Sequence, residues 1–85
     1  MTYRIEFAKP AAKQFKAIPR QEQQRLKLKI DALADEPRPS GTVKLAGEDG
    51  FYRIRVGNYR IVYAIEDDQL LVLVVKVGHR RDVYR

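Results

Sequence analysis
Cysteine is absent from the 85 residues, and histidine occurs once, at His79. The first absence excludes a disulfide framework and a thiolate metal site, and a lone imidazole cannot build a zinc site by itself. Neither a metal nor a cofactor is expected. No apolar run approaches membrane-spanning length, and the opening "MTYRIEFAKP" alternates polar and apolar residues instead of forming the apolar stretch of a signal peptide. A cytoplasmic protein with no membrane partner is the expectation. Repeats, low-complexity tracts and interdomain linkers are also missing, so residues 1–85 read as a single domain with one modest core and no room for a separate regulatory module. Function must then reside on the surface. What the chain has in excess is positive charge: 17 Lys and Arg against 11 Asp and Glu, a net +6. That bias favours a polyanionic partner such as nucleic acid or an acidic protein.

The order of elements follows from periodicity. "YRIEF" (3–7) alternates with Tyr3, Ile5 and Phe7 on one side, as in a half-buried strand. Lys9 and Pro10 open a helix in which Ala11, Ala12, Phe15 and Ile18 recur at helical spacing, and Pro19 interrupts it and can serve in the first turn of a second. That second helix, roughly 20–35, turns Leu26, Ile30 and Leu33 inward until "EPRPSG" (36–41) ends it. From 42 onward the pattern is β: "TVKLAG", then 51–56, 59–65 and 69–77, separated by "GN" and by the acidic tip "EDDQ". The last three should form a meander, with the doubly apolar "LLVLVVKV" central. The fold class is α+β: a strand, two helices, then a β-meander forming a small, mainly antiparallel sheet with the helices on one face.

Within that sheet the arginines are gathered by the pleat. A two-residue Gly-Asn loop, suited to a type I′ or II′ hairpin, pairs Val56 with Tyr59, Arg55 with Arg60, Ile54 with Ile61 and Tyr52 with Tyr63. Tyr52, Tyr59 and Tyr63 then face the core, and Tyr3 is structural too, whereas Arg53, Arg55 and Arg60 share the opposite face beside small Val62 and Ala64. Directly opposed like charges destabilise a hairpin by roughly 0.2–1 kcal/mol, which suggests a compensating anion; the alternative is a solvated face with splayed guanidiniums. If Ile65 pairs with Leu70, Arg60 lies opposite Val75 and Gly57 opposite Gly78, unless a bulge near Lys76 or Gly78 shifts the register. "HRRDVYR" (79–85) then leaves the sheet at its arginine end, bringing His79, Arg80, Arg81 and Tyr84 near Arg55 and Arg60.

"KLAG" (44–47), "FYRIRVGNYRIVY" (51–63) and "VGHRRDVY" (77–84), following a strand and two helices, resemble the RelE branch of the RelE/ParE toxin superfamily. The resemblance covers almost the whole chain in order, with "GHRRDVY" its most specific part. It implies a RelE-like toxin of a type II toxin-antitoxin system that enters the ribosomal A site and cuts mRNA there, neutralised by a cognate antitoxin encoded by an adjacent gene; the complex would bind operator DNA through that antitoxin. The ribosome and mRNA are the implied targets.

RNA cleavage without metal needs attack by the 2′-hydroxyl on the adjacent phosphate, stabilisation of the phosphorane charge and protonation of the departing 5′-oxygen. Arg55 and Arg60, with Arg53 adjacent, suit the second task. By resemblance, Arg60 matches the family's phosphate-binding arginine, Arg80 the arginine beside the leaving group, and Tyr84 the near-terminal tyrosine that stacks on substrate. The chain departs from the pattern at 53 and 55, where lysines are usual: arginine stays protonated and is a poor base. His79, a Tyr84 phenolate, Glu48 and Asp49 are the alternatives, against a surface histidine and a packed terminal tyrosine. Arg81 and the helical cations Lys9, Lys13, Lys16, Arg25, Lys27 and Lys29 could grip RNA phosphates or be merely solvated. Competing functions are a ParE-like, non-enzymatic toxin acting on DNA gyrase and a catalytically inactive relative that binds antitoxin.

Overall fold
The structure, a computed structural model, describes residues 2–47 and 50–79. The first strand, β1 (Arg4–Phe7), leads directly into α1 (Lys9–Lys16), with Pro10 in the first turn, where its missing N–H costs no helical hydrogen bond. Pro19 occupies the N-cap of α2 (Arg20–Ala32), one position earlier than the first-turn place read from sequence. The Gln23 side chain reaches back from α2 and donates to the carbonyls of Phe15 (3.1 Å) and Ile18 (2.9 Å). The Phe15 carbonyl, which also accepts the Ile18 N–H, and the Ile18 carbonyl are thereby tied to α2, and the corner between the helices is fixed.

The remaining strands are β2 (Val43–Lys44), β3 (Phe51–Val56), β4 (Tyr59–Glu66) and β5 (Leu71–His79), and a single sheet orders all five as β1-β5-β4-β3-β2. β1 runs parallel to β5, and every other neighbouring pair is antiparallel. The expected α+β arrangement is present, with the helices on one face and β5 interior, though β2 is only two residues of the "TVKLAG" segment. No described helix is long and apolar enough to cross a membrane.

The core lies between helices and sheet. Ala11, Leu26, Ile30 and Leu33 meet Ile54, Ile61, Tyr63, Val72, Val74 and Val77, all buried. Tyr63 is fully buried and stays there because its hydroxyl donates to the Pro37 carbonyl at 2.8 Å and lies 3.2 Å from Thr42 Oγ1. Its phenol is pushed above the usual tyrosine range, chiefly by that burial. Tyr52 stacks on Tyr63, and the Arg38 guanidinium sits 5.1 Å over the Tyr52 ring. Arg38 Nη2 also pairs with Asp67 Oδ2 at 2.9 Å, while the Tyr3 hydroxyl donates to Asp67 Oδ1 at 2.7 Å. The loop after α2 is thus stapled to β3 and to the acidic tip.

Three sequence-derived pairings are corrected. The hairpin register is as expected, Arg55 opposite Arg60 and Val56 opposite Tyr59. The next connection is longer: Asp67–Gln69 form a 3-10 turn and Leu70 takes a left-handed conformation (φ 50°), so Ile65 pairs with Val72 and not Leu70. A bulge then leaves Val75 without a cross-strand partner, between the pairs Tyr63–Val74 and Val62–Lys76. Arg60 consequently lies opposite Gly78 and not Val75, and Tyr59, not Gly57, marks the end of the pairing, opposite His79.

Candidate nucleic-acid interface
Cross-strand partners project to the same side of a sheet, so the register can be read as rows. One row is Val43, Arg53, Val62 and Lys76; the row nearer the hairpin turn is Arg55, Arg60 and Gly78. Between them run Ile54, Ile61 and Val77, all buried under the helices. Both cationic rows therefore face away from the helices. Arg55 is exposed, whereas Arg53, Arg60 and Lys76 are half-buried. Val62 and Gly78 occupy the middle and end of these rows, leaving a low floor among long cationic side chains.

The turn that holds this geometry has Gly57 at φ 59°, and Asn58 is not among the residues of positive φ, which identifies type II′ over I′. A Cβ at Gly57 would lie 2.9 Å from Arg25 Nη2, so α2 delivers one of its cations to the hairpin end of the molecule. Neighbouring strands are about 4.8 Å apart, and guanidiniums on opposed residues create a dense positive field. Such a field can hold phosphate oxygens and strengthen its hold as their charge grows. Towards the other end the outer face becomes apolar, with Phe51, Ala64 and Leu73 in one row, and then acidic at Glu66.

His79 belongs to the same end of the sheet but to the other face. It pairs with Tyr59, whose ring packs on the core, and the two rings meet edge-to-face at 5.7 Å. An open cleft of about 350 Å³ lies beside them along the β5 edge, walled by Gln14, Ile18, Pro19, Lys76 and Gly78. The expectation that His79 would join the guanidiniums assumed a register without the bulge. Arg80, Arg81 and Tyr84 follow directly after β5 but lie outside the described residues, as do Glu48 and Asp49.

The helical cations form a separate surface. Lys9, Lys13 and Lys16 line a shallow groove along α1 with Pro10 and Ala12. Arg25 pairs with Glu22 at 3.2 Å and Lys27 with Asp31 at 2.9 Å; Lys29 is half-buried. Arg25 reaches only the turn, and the register brings none of these to the arginine face. Lys76 was not singled out from sequence, because strict alternation through "VLVVKV" sends it inward with Val72 and Val74. The bulge allowed for near Lys76 is present, at Val75, and it turns this lysine outward, sparing the core a charge.

The fold has counterparts. A family model described as the ParE toxin of type II toxin-antitoxin systems, parDE, matches residues 5–84. The mRNA interferase toxin RelE of Escherichia coli (strain K12) is 30% identical, over 94% of this chain and 85% of its own. The archaeal RelE-RelB complex from Pyrococcus horikoshii OT3 superimposes with a TM-score of 0.83 at 29% identity, covering 96% of this chain and 99% of that one. The intact E. coli RelBE toxin-antitoxin complex gives 0.81 at 29% identity, covering 91% and 95%. The family model carries the ParE description while these individual relatives are RelE proteins, and the chain belongs to the RelE branch of the RelE/ParE family of type II toxin-antitoxin toxins.

Proposed function
We propose that this chain is a ribosome-dependent endoribonuclease that cleaves mRNA in the ribosomal A site, acts in the cytoplasm and is neutralised by a cognate antitoxin. The observation that carries the reading is the opposed pair Arg55 and Arg60, with Gly78 completing their row on the face away from the helices. Relatives named mRNA interferase and solved in complex with RelB support it.

In this mechanism the 2′-oxygen bonds to the adjacent phosphorus and the bond from phosphorus to the 5′-oxygen breaks, leaving a 2′,3′-cyclic phosphate and a 5′-hydroxyl. Arg60 clamps the scissile phosphate, Arg55 and Arg53 share its growing negative charge, and Arg80 lies by the leaving group. Tyr84 stacks on the substrate and, as the phenolate, takes the 2′-hydroxyl proton, while water protonates the departing 5′-oxygen. His79, held against Tyr59 on the helix face, is assigned to packing. Arg81 and the lysines of α1 bind flanking or ribosomal RNA. Because arginines are poor bases, the ribosome must supply much of the in-line orientation of the 2′-hydroxyl.

Primer extension on mRNA in a translation reaction, with and without ribosomes, tests this. Cuts that need ribosomes are expected; efficient cutting of naked RNA would overturn the assignment. The ParE description of the family model favours one second reading, inhibition of DNA gyrase. A supercoiling assay in which the protein blocks gyrase while leaving translated mRNA intact would establish that reading instead.

A further inference from the structure
We propose that Lys76 is a substrate-contacting residue whose ammonium holds an RNA phosphate adjacent to the one clamped by Arg60, an assignment that rests on the endoribonuclease reading. Val72 and Val74 point into the core, so uninterrupted alternation would bury Lys76 there and expel Val77. The bulge at Val75 reverses this: Val77 is buried at 2% exposure, and Lys76 pairs with Val62 on the outer face. Beyond the bulge, where β1 no longer covers the edge of β5, α1 anchors the strand: the Val77 N–H donates to Gln14 Oε1 at 2.8 Å. A bulge with its own supporting side chain thus fixes where Lys76 emerges.

That position matters. Lys76 ends the row that Arg53 shares across Val62, two strand spacings or about 10 Å away. Arg60 stands on the intervening strand in the next outer row, diagonal to both. An RNA strand crossing this face with its scissile phosphate on Arg60 therefore meets one cation on either side. The competing explanation is that the bulge only spares the core a charge and leaves an ordinary surface lysine. A compact ammonium offers no planar fork, so it suits a flanking phosphate more than the transition state. Its contribution belongs to binding and not to the chemical step.

The test uses full-length toxin and programmed ribosomes carrying either normal mRNA or mRNA with 2′-deoxy substitutions in the A-site codon, which binds but cannot be cut. Lys76→Met should weaken binding to the uncleavable complex about tenfold and raise the half-saturating concentration for cleavage equally, with the maximal rate within about twofold of wild type. Its plot of log affinity against log salt should be shallower by roughly 0.7–1, the loss of one phosphate contact. Lys76→Arg should restore most of the affinity, and Lys76→Gln provides the same comparison should the methionine variant fold poorly. Unchanged affinity and salt slope, or a loss confined to the maximal rate, would overturn the proposal. Wild-type toxin that binds both complexes but cuts neither would defeat the endoribonuclease reading separately, with Lys76 still judged on the uncleavable complex.

Discussion
Arg55 and Arg60 are direct cross-strand partners on the outer face, and Gly78 on β5 is the neighbour of Arg60 on its other side. Arg60 is thus flanked by a like charge and by a residue without a side chain, an arrangement suited to receiving an anion. Arg60→Ala should lower cleavage by roughly 10²–10³, the scale seen when a donor to transition-state charge is removed. Arg60→Lys should recover only part, because an ammonium cannot reproduce a bidentate clamp. Circular dichroism should show both variants folded. A folded Arg60→Ala variant with wild-type cleavage would remove Arg60 from the site.

Tyr84→Phe keeps an aromatic ring for stacking and deletes only the hydroxyl. If Tyr84 exchanges the proton, single-turnover cleavage at saturating ribosome complex should fall by roughly 10²–10⁴ while ribosome binding is retained. Equal single-turnover rates would leave Tyr84 a stacking role alone.

The Arg38, Asp67 and Tyr3 cluster makes stability depend on pH at both extremes. The Asp67 carboxyl titrates below its ordinary 3.8, first because Arg38 donates to it and then because Tyr3 does. A depressed folded value means the stabilisation is present above the unfolded pKa and is lost as pH falls through the folded one. The Tyr3 phenol titrates above its ordinary 10.0, chiefly through its hydrogen bond to Asp67, so that contribution is complete below about 10 and fades at more alkaline pH. Asp67→Asn should flatten the acid limb of Tm against pH, and Tyr3→Phe the alkaline limb. Limbs identical to wild type would show that the cluster adds nothing to the folded state.

Gly57→Ala should destabilise the hairpin by about 1 kcal/mol, the cost of placing a Cβ residue at positive φ, or a Tm loss of several degrees in a domain this small. The new methyl also meets Arg25 Nη2 at 2.9 Å. That guanidinium is the far end of a flexible side chain, so Arg25→Ala in the same background should restore little of the loss. Substantial recovery in the double variant would place the cost in the contact and not in the backbone.

The hairpin was legible from sequence because a two-residue turn leaves one register open, and Tyr52, Ile54, Ile61 and Tyr63 then confirm the buried face by alternation. The β4–β5 pairing was not. Its connection uses a left-handed Leu70 that no glycine announces, and the bulge allowed for near Lys76 or Gly78 could not be placed at Val75, inside an apolar run where either face accepts valine. Those two irregularities displaced the partner of Arg60 by three residues, from Val75 to Gly78. They also put His79 with Tyr59 and brought Lys76 into the cationic rows. Arg38 gave no signal of its own, since its partners Tyr52 and Asp67 become neighbours only once the loop after α2 folds over the sheet.

Along β4, Arg60 stands near one end and Glu66 at the other, with Asp67 and Asp68 just beyond it. Six residue steps along the strand put about 20 Å between Arg60 and Glu66, so the molecule behaves like a compass needle with its positive pole at the hairpin. A polyanionic surface exerts a torque on such a particle as well as a pull. Random orientation is what ordinarily keeps association orders of magnitude below the diffusion limit. A protein that swings its arginine end forward before contact shortens that rotational search, and added salt would lengthen it again by screening the torque.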